Sequence, residues 1–546
     1  MRLLIMIAAT VLMAGCNKSP SVAHASAAAS TTDETATVPL PSAEQILIDY
    51  KRMVNFGPRL PGYKAHDQYV SWLEDEFVKA GLNLLPCDQY NITRWQPKSF
   101  GLDILTGSNA GPVDVPTYSV RAASTGPEGV AGPLMYASLP PAPSLSSTDT
   151  GTLQAAVTGY PGVLGSWASG LSSFSGGSLK GSILLVDIPI PLPITTAVFL
   201  PISTYRYWPD HSDIDWMQID YKRPWLGPWP DSSNFSQLGV AGVIFIADAS
   251  KDELRGNYSS HTATPQSLPA LVVDRDTGAK LRQMAAARPQ VRLTLDAAND
   301  KIPVRNTTAV LPGKSDEVII VASHTDGQNV FEENGGVAAL QIARHFASLP
   351  PAQRPQRTLV FATYPGHMSG ESHVADAGGW IAAHPDIVKK AVGAVHIEHL
   401  GATEWLDKLD KGYRGTGENE VYGIWTTQGP VLDLTREALM KADLHRTALL
   451  RGPLMITPGA AFHNAGVPFV GGIAGPTYLL QISQGNGLDK LDADLAARQT
   501  AFYADVVRRM DATPASSLKS GDPLLGSMPP SSEDVSTKVA CGPGSR

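Results

Sequence analysis

Three short apolar runs, each followed at once by polar and ionisable residues, constrain this chain more than any other feature. They are Val318-Ile319-Ile320-Val321-Ala322, Thr358-Leu359-Val360-Phe361-Ala362 and the segment from Val392 to Ile397. Each is too short for a helix and too continuously apolar for a strand with one wet face, so all three read as buried strands of a parallel sheet. Gly336 to Leu349, Leu434 to Ala442 and Leu491 to Met510 carry apolar residues at helical spacing. Strands alternating with helices predict an α/β domain, a mixed but mainly parallel sheet sandwiched by helices. In such sheets ligands bind at the carboxyl ends of the strands.

Upstream, Ser42 to Ala80 reads as helix, loop, helix, because Phe56-Gly57-Pro58-Arg59-Leu60-Pro61-Gly62 interrupts two stretches of helical spacing. Asn91 to Leu105 then alternates like a strand. Over 111–300, glycine, proline and serine punctuate short β-branched runs such as Ser182 to Val186 and Val240 to Ile246, the texture of a separate β-rich module. Inside it Tyr205, Tyr207, Trp208, Trp216, Tyr221, Trp225, Trp229 and Phe235 crowd into one stretch, which reads either as a binding lid or as a loop packed on its own module. A chain of 546 residues has room for this module inside a domain formed by 42–110 and 301–512. A tether at 17–41 and a flexible tail at 513–546 flank it, both poor in large apolar side chains.

Residues 1–16 hold one cation, Arg2, and an apolar run from Leu3 to Ala14 that is shorter than the ~20 residues of a membrane-spanning helix. This predicts an export signal. Its end, Leu12-Met13-Ala14-Gly15-Cys16, resembles a bacterial lipobox, which implies a lipid anchor on Cys16 and a lipoprotein held at a membrane, facing the periplasm or cell surface. Cleavage as an ordinary signal peptide is the alternative. In an oxidising compartment Cys87 and Cys541 either pair or remain two free thiols, and three cysteines in all exclude a disulfide scaffold. A net charge of −8 with no block of Lys or Arg argues against nucleic acid as a partner. No Gly-x-Ser-x-Gly elbow occurs, and Gly313-Lys314-Ser315 lacks the upstream glycine of a phosphate loop, so serine hydrolase and nucleotide-binding readings are weak.

Chemistry gathers where the strands end. Ser323-His324-Thr325-Asp326 follows the first run, and Phe331-Glu332-Glu333-Asn334-Gly335-Gly336 leads into the next helix. Gly366-His367-Met368 follows the second run, with Glu371 and His373 close behind, and His396-Ile397-Glu398-His399 ends the third. Imidazole and carboxylate are ordinary zinc ligands, and converging buried carboxylates would be costly without a cation. A metal site at the strand ends is the simplest reading; a solvated polar rim is the other.

These motifs resemble those of the co-catalytic zinc aminopeptidases, relatives of glutamate carboxypeptidase that carry an inserted protease-associated domain. The resemblance spans about Ser42 to Met510. It rests on Phe56-Gly57-Pro58-Arg59, the run Leu179 to Val186 in the inserted module, His324-Thr325-Asp326, Asn334-Gly335-Gly336-Val337, and Ala461-Phe462 followed by Gly466-Val467-Pro468. In that family two zinc ions share a carboxylate, and a neighbouring Glu is the general base. Carried over, His324 is the first ligand, Asp326 orients it and Glu398 is a further ligand. The shared carboxylate falls on Glu333, the preferred count, or on Glu332.

The positions of the usual base and of one second-zinc ligand hold His367 and Met368, and the late histidine of that second set falls on Ile482. The losses cluster on one metal, so the resemblance implies a single zinc on His324, Glu333 and Glu398, with an open fourth position. His367 is then the replacement base, an extra ligand or a remnant without a role. His373, His396, His399 and His463 stand at no matching position and read as non-ligands. The expected function is that of an exported zinc-dependent hydrolase of a peptide or other amide. The alternative is a catalytically inactive lipoprotein that keeps the peptidase fold as a binding module. The oligomeric state and the substrate are left open.

Overall fold

The computed structural model describes residues 40–138, 178–188, 190–191, 194–208, 219–225, 231–261, 263–369, 376–454, 458–527 and 538–539. The export signal with Cys16, most of the tether, Trp216, Trp229, Glu371, His373 and Cys541 lie outside these residues. Among the described residues no helix is long and apolar enough to cross a membrane.

The three apolar runs are adjacent strands at the centre of one mixed sheet. Arg357–Tyr364 runs parallel to Ser315–His324, which runs parallel to Ala391–Ile397, which in turn runs parallel to Phe469–Ala474. Tyr422–Thr426 follows, antiparallel to Phe469–Ala474 and parallel to Thr447–Arg451. On the other side the end of Gln290–Leu311 pairs antiparallel with Arg357–Tyr364, and Asn83–Leu84 covers that edge.

Alternate side chains of one strand enter two cores. Ile319 and Val321 pack in a cluster with Tyr50, Leu73, Val337 and Val507, from the helices Ala43–Val54, Lys64–Lys79, Gly335–Ser348 and Ala493–Ala512. Val318, Ile320 and Ala322 pack on the opposite face with Ala377, Trp380 and Phe462 from Ala377–Ala383 and Ala460–Asn464. Burying an Ile or Val side chain is worth ~1.5–3 kcal/mol, so a strand apolar on both faces is most stable at the centre of the sheet. The expected α/β sandwich is the fold observed.

The inserted module has its own core. Gly126–Ala137, Ile183–Ile188, Gly242–Ala247 and Ala270–Val273 run parallel in that order, and Thr117–Tyr118 pairs antiparallel with the last. A long antiparallel ribbon, Asp88–Ile104 against Gln290–Leu311, leaves this module and continues into the central sheet. Module and sheet therefore share a strand.

Two expectations differ from what is seen. The aromatic stretch does not pack as a unit on its own module: Ser203–Tyr207 adds an antiparallel edge strand to Thr447–Arg451 of the central sheet. Trp208 and Tyr221 are buried in the central domain, where Arg223 makes a fully buried ion pair with Glu420 at 2.7 Å and Trp225 donates to the Pro476 carbonyl. Among the described aromatic residues of the stretch, only Phe235 stays with the module core. An exposed sheet edge offers unpaired backbone groups, and this segment satisfies them. The chain after 513, read as a tail, packs at first: Ala515–Leu518 is helical with Leu518 buried, and Lys538–Val539 pairs with Gln89 and Tyr90. Cys87 is disulfide-bonded; the pair with Cys541 considered from the sequence lies outside the described residues.

Candidate metal centre

The sheet delivers its polar residues to one place. His324 is the last residue of Ser315–His324, Glu332 stands just before the helix Gly335–Ser348, and Glu398 and His399 directly follow Ala391–Ile397. Helix start and strand end are pressed together at Gly335, where a Cβ would lie 1.7 Å from the Ile397 carbonyl oxygen. Only glycine tolerates that approach, and it holds the chain that follows Glu332 against the end of the strand that precedes Glu398.

Backbone contacts fix which imidazole nitrogens face inward. His324 Nδ1 lies 2.9 Å from the Asp326 carbonyl oxygen and 3.4 Å from its carboxylate, and His399 Nδ1 lies 2.7 Å from the Ala474 carbonyl. Each Nδ1–H donates outward, so each Nε2 presents a lone pair to the interior. His399 adopts φ +57° to do this, a left-handed backbone uncommon for histidine.

The inward atoms converge. His399 Nε2 is 3.5 Å from Glu332 Oε2 and 3.5 Å from Glu398 Oε2, and His324 Nε2 is 3.8 Å from Glu398 Oε2. His324 Nε2, Glu332 Oε2, Glu398 Oε2 and His399 Nε2 are all buried without a hydrogen-bond partner. Leaving each such group unsatisfied costs ~1–3 kcal/mol or more. Tetrahedral zinc with bonds of ~2.0–2.1 Å holds neighbouring ligand atoms about 3.3 Å apart, close to the separations seen here. The donor set fits a divalent cation.

Mutually close ligand atoms form three groups, His324, Glu332 and His399; His324, His367 and Glu398; and His261, Glu332 and His367, each within 4.8 Å. Burial works against ionised Glu398, but His396 and His324 hold its carboxyl well below the usual range. For His367 burial opposes protonation, and Asp376, 3.8 Å from Nδ1, outweighs it to hold the pKa above the ordinary histidine value.

Of the residues singled out from the sequence, His324, Glu332, Glu398 and His367 come together, with Asp326 behind His324. Glu333 does not. It makes a fully buried ion pair with Arg59, whose guanidinium also donates to the carbonyls of Met53, Gly57 and Asn329. Glu332 is the glutamate that joins these groups, because consecutive residues at a helix entry point to different sides. His399, read as a non-ligand, faces the cluster. His463 is elsewhere, 3.1 Å from Asp522, and His396 sits behind Glu398, its Nδ1 2.7 Å from Oε1.

His261 was missed. It belongs to the inserted module and carried no local signal, since only docking of the module brings its Nε2 to 3.2 Å from Glu332 Oε1. Its ring centroid is 4.5 Å from that of His367. The docking uses Ile482 and Met368, the two positions at which the sequence resemblance leads to ligands being expected. Ile482 N donates to the Gly256 carbonyl at 2.8 Å, and Ser260 Oγ donates to Met368 Sδ at 3.2 Å.

No protein-family model and no curated protein matches the chain by sequence. Solved structures do match in fold. A zinc aminopeptidase from Bacillus subtilis superposes with a TM-score of 0.55 at 14% identity, covering 88% of this chain and 98% of its own. A peptidase M28 precursor from Shewanella amazonensis SB2B gives 0.54 at 15% identity, covering 86% and 96%. An aminopeptidase from Aneurinibacillus sp. strain AM-1 gives 0.52 at 15% identity, covering 86% and 93%. The chain therefore has the fold of these three proteins over most of its length.

Proposed function

We propose that the chain is a metal-dependent hydrolase that cleaves a peptide or another amide at the cluster of His324, Glu332, Glu398 and His399. The observation that carries this reading is the set of buried, unpartnered ligand atoms converging at the carboxyl ends of two adjacent strands and at the entry to the helix Gly335–Ser348. Bound there, a zinc ion would supply a Lewis acid that polarises the scissile carbonyl. Two carboxylates offset its charge, and Asp326 and the Ala474 carbonyl hold the imidazoles in the ligating tautomer. His367, for which the replacement base is one of the expected roles, has its ring centroid 4.6 Å from that of His324. Asp376 faces its Nδ1, which leaves Nε2 to accept a proton from water and pass it to the leaving amine.

The inserted module is read as a protease-associated domain, on its place in the chain and the run Leu179 to Val186. Export with a lipid anchor on Cys16 is proposed on the sequence alone. Elemental analysis of the purified protein tests the central claim: stoichiometric zinc is expected, with loss of the bound metal in His324→Ala and Glu398→Ala. A screen of peptide, acyl-amide and ester substrates then identifies the bond cleaved, and turnover unchanged in His367→Ala would remove that residue from proton transfer.

A further inference from the structure

The expectation of a single ion counted only the positions at which the family carries its second ligand set, and His261 stands outside that count. Glu332 divides its oxygens between two groups: Oε2 lies 3.5 Å from His399 Nε2, and Oε1 lies 3.2 Å from His261 Nε2. A carboxylate placed in this way can bridge two cations. On the Oε1 side, His261, Glu332 and His367 offer three ligand atoms mutually within 4.8 Å. Glu332 is fully buried, whereas the side chains of His261 and His367 are 26% and 12% exposed, so this group lies on the solvent side of the inner one.

From these residues we infer that the chain has a second, outer cation position, held by His261 of the inserted module and by Glu332 and His367 of the central domain. The inference rests on the reading of the inner cluster as a cation site. Its ligands are not those lost at Met368 and Ile482. Instead, those two residues form the dock that brings the module's 256–261 segment, and with it His261, over the cluster. The Gly256 carbonyl accepts from Ile482 N at 2.8 Å, Tyr258 N donates to the Leu480 carbonyl at 2.8 Å, and Ser260 reaches Met368. At Gly256 a Cβ would lie 2.0 Å from the Ile482 carbonyl oxygen, so the approach of the two domains is close enough to need glycine.

Three protein ligands with an open side match what imidazole and carboxylate donors offer zinc. A cation there does two things. It ties the inserted module to the central domain through a metal bridge, and it occupies the His367 lone pair that proton transfer needs, so second occupancy and base action by His367 exclude each other.

Calorimetric titration of the full, chelator-treated chain with Zn²⁺ tests this. Two equivalents are expected, the second weaker than the first. His261→Ala should keep the first equivalent, which also shows that the variant is folded, and weaken the second at least about tenfold. His261→Asp, which restores a ligand atom, should recover part of that loss. A single equivalent in the native chain, or two equivalents that His261→Ala leaves at their native affinities, would overturn the second position while leaving the inner one standing. Absence of any bound zinc would overturn both.

Discussion

At the scale of single residues, neighbouring glutamates do unlike work. Glu332 presents unpartnered oxygen to the cluster, whereas Glu333 neutralises Arg59, which is fully buried between the first helix and the strand ends. Removing one member of a buried ion pair strands the other charge, at a cost of about 3–5 kcal/mol. Three backbone carbonyls would still accept from Arg59, so the lower end applies to Glu333→Gln. Glu333→Gln is expected to lose about 3 kcal/mol of stability in urea denaturation and to retain bound zinc. Glu332→Gln should lose the zinc, and because its amide keeps an oxygen for His261 Nε2 to donate to, its metal-free form should lose less stability than Glu333→Gln does. Metal content and denaturation midpoints measured on both variants separate these outcomes. The reverse pattern would return the ligand role to Glu333. Sequence could not decide between them, because the choice depends on how the chain turns in the two residues before the helix.

At the scale of elements, legibility followed burial. The three central strands were readable because both of their faces are apolar, and the helices that cover them carry regular apolar stripes. Ser203–Tyr207 was not readable as a strand: every residue in it is only half-buried, and it exists because the open edge at Thr447–Arg451 accepts it. His399 was passed over because its inward nitrogen depends on a left-handed backbone that spacing does not show. The contact between the helix Gly335–Ser348 and the strand Ala391–Ile397 gives a test at this scale. A Cβ at position 335 meets the Ile397 carbonyl at 1.7 Å and Ser323 Oγ at 2.5 Å, and neither can move without disturbing the sheet. Gly335→Ala should therefore destabilise the fold by about 3 kcal/mol, at the upper end of ordinary overpacking, and lower zinc affinity as well by moving Glu332 away from His399. A variant with native midpoint and native zinc content would show that the approach is not needed.

At the scale of the whole molecule, the proposed site depends on a junction that sequence does not show, because its contacts join segments 71 to 228 residues apart. The helix Lys251–Leu254 of the module lies against the central domain, where Gln481 Nε2 donates to the Glu253 carbonyl. The Glu253 carboxyl is itself buried there. Burial, assisted by the negative charge of Asp407 and only partly opposed by Arg223 and Arg275, pushes its pKa up to about 8. The folded chain thus keeps a proton that the unfolded chain releases above about pH 4.5. Between these values the native state binds more protons than the unfolded state, so this group makes stability fall as pH rises through the window. Below pH 4.5 both states are protonated and the contribution vanishes. Glu253→Gln, neutral at every pH, lacks that term. The variant should match the native chain near pH 4.5 and become progressively more stable than it up to about pH 8, by an amount on the order of a few kcal/mol. Cation binding, which also varies with pH, is common to both proteins and cancels in the comparison. Urea midpoints of the two proteins at pH 5, 6.5 and 8 provide the measurement, and a difference that stays constant across that range would mean that Glu253 is ionised at the junction.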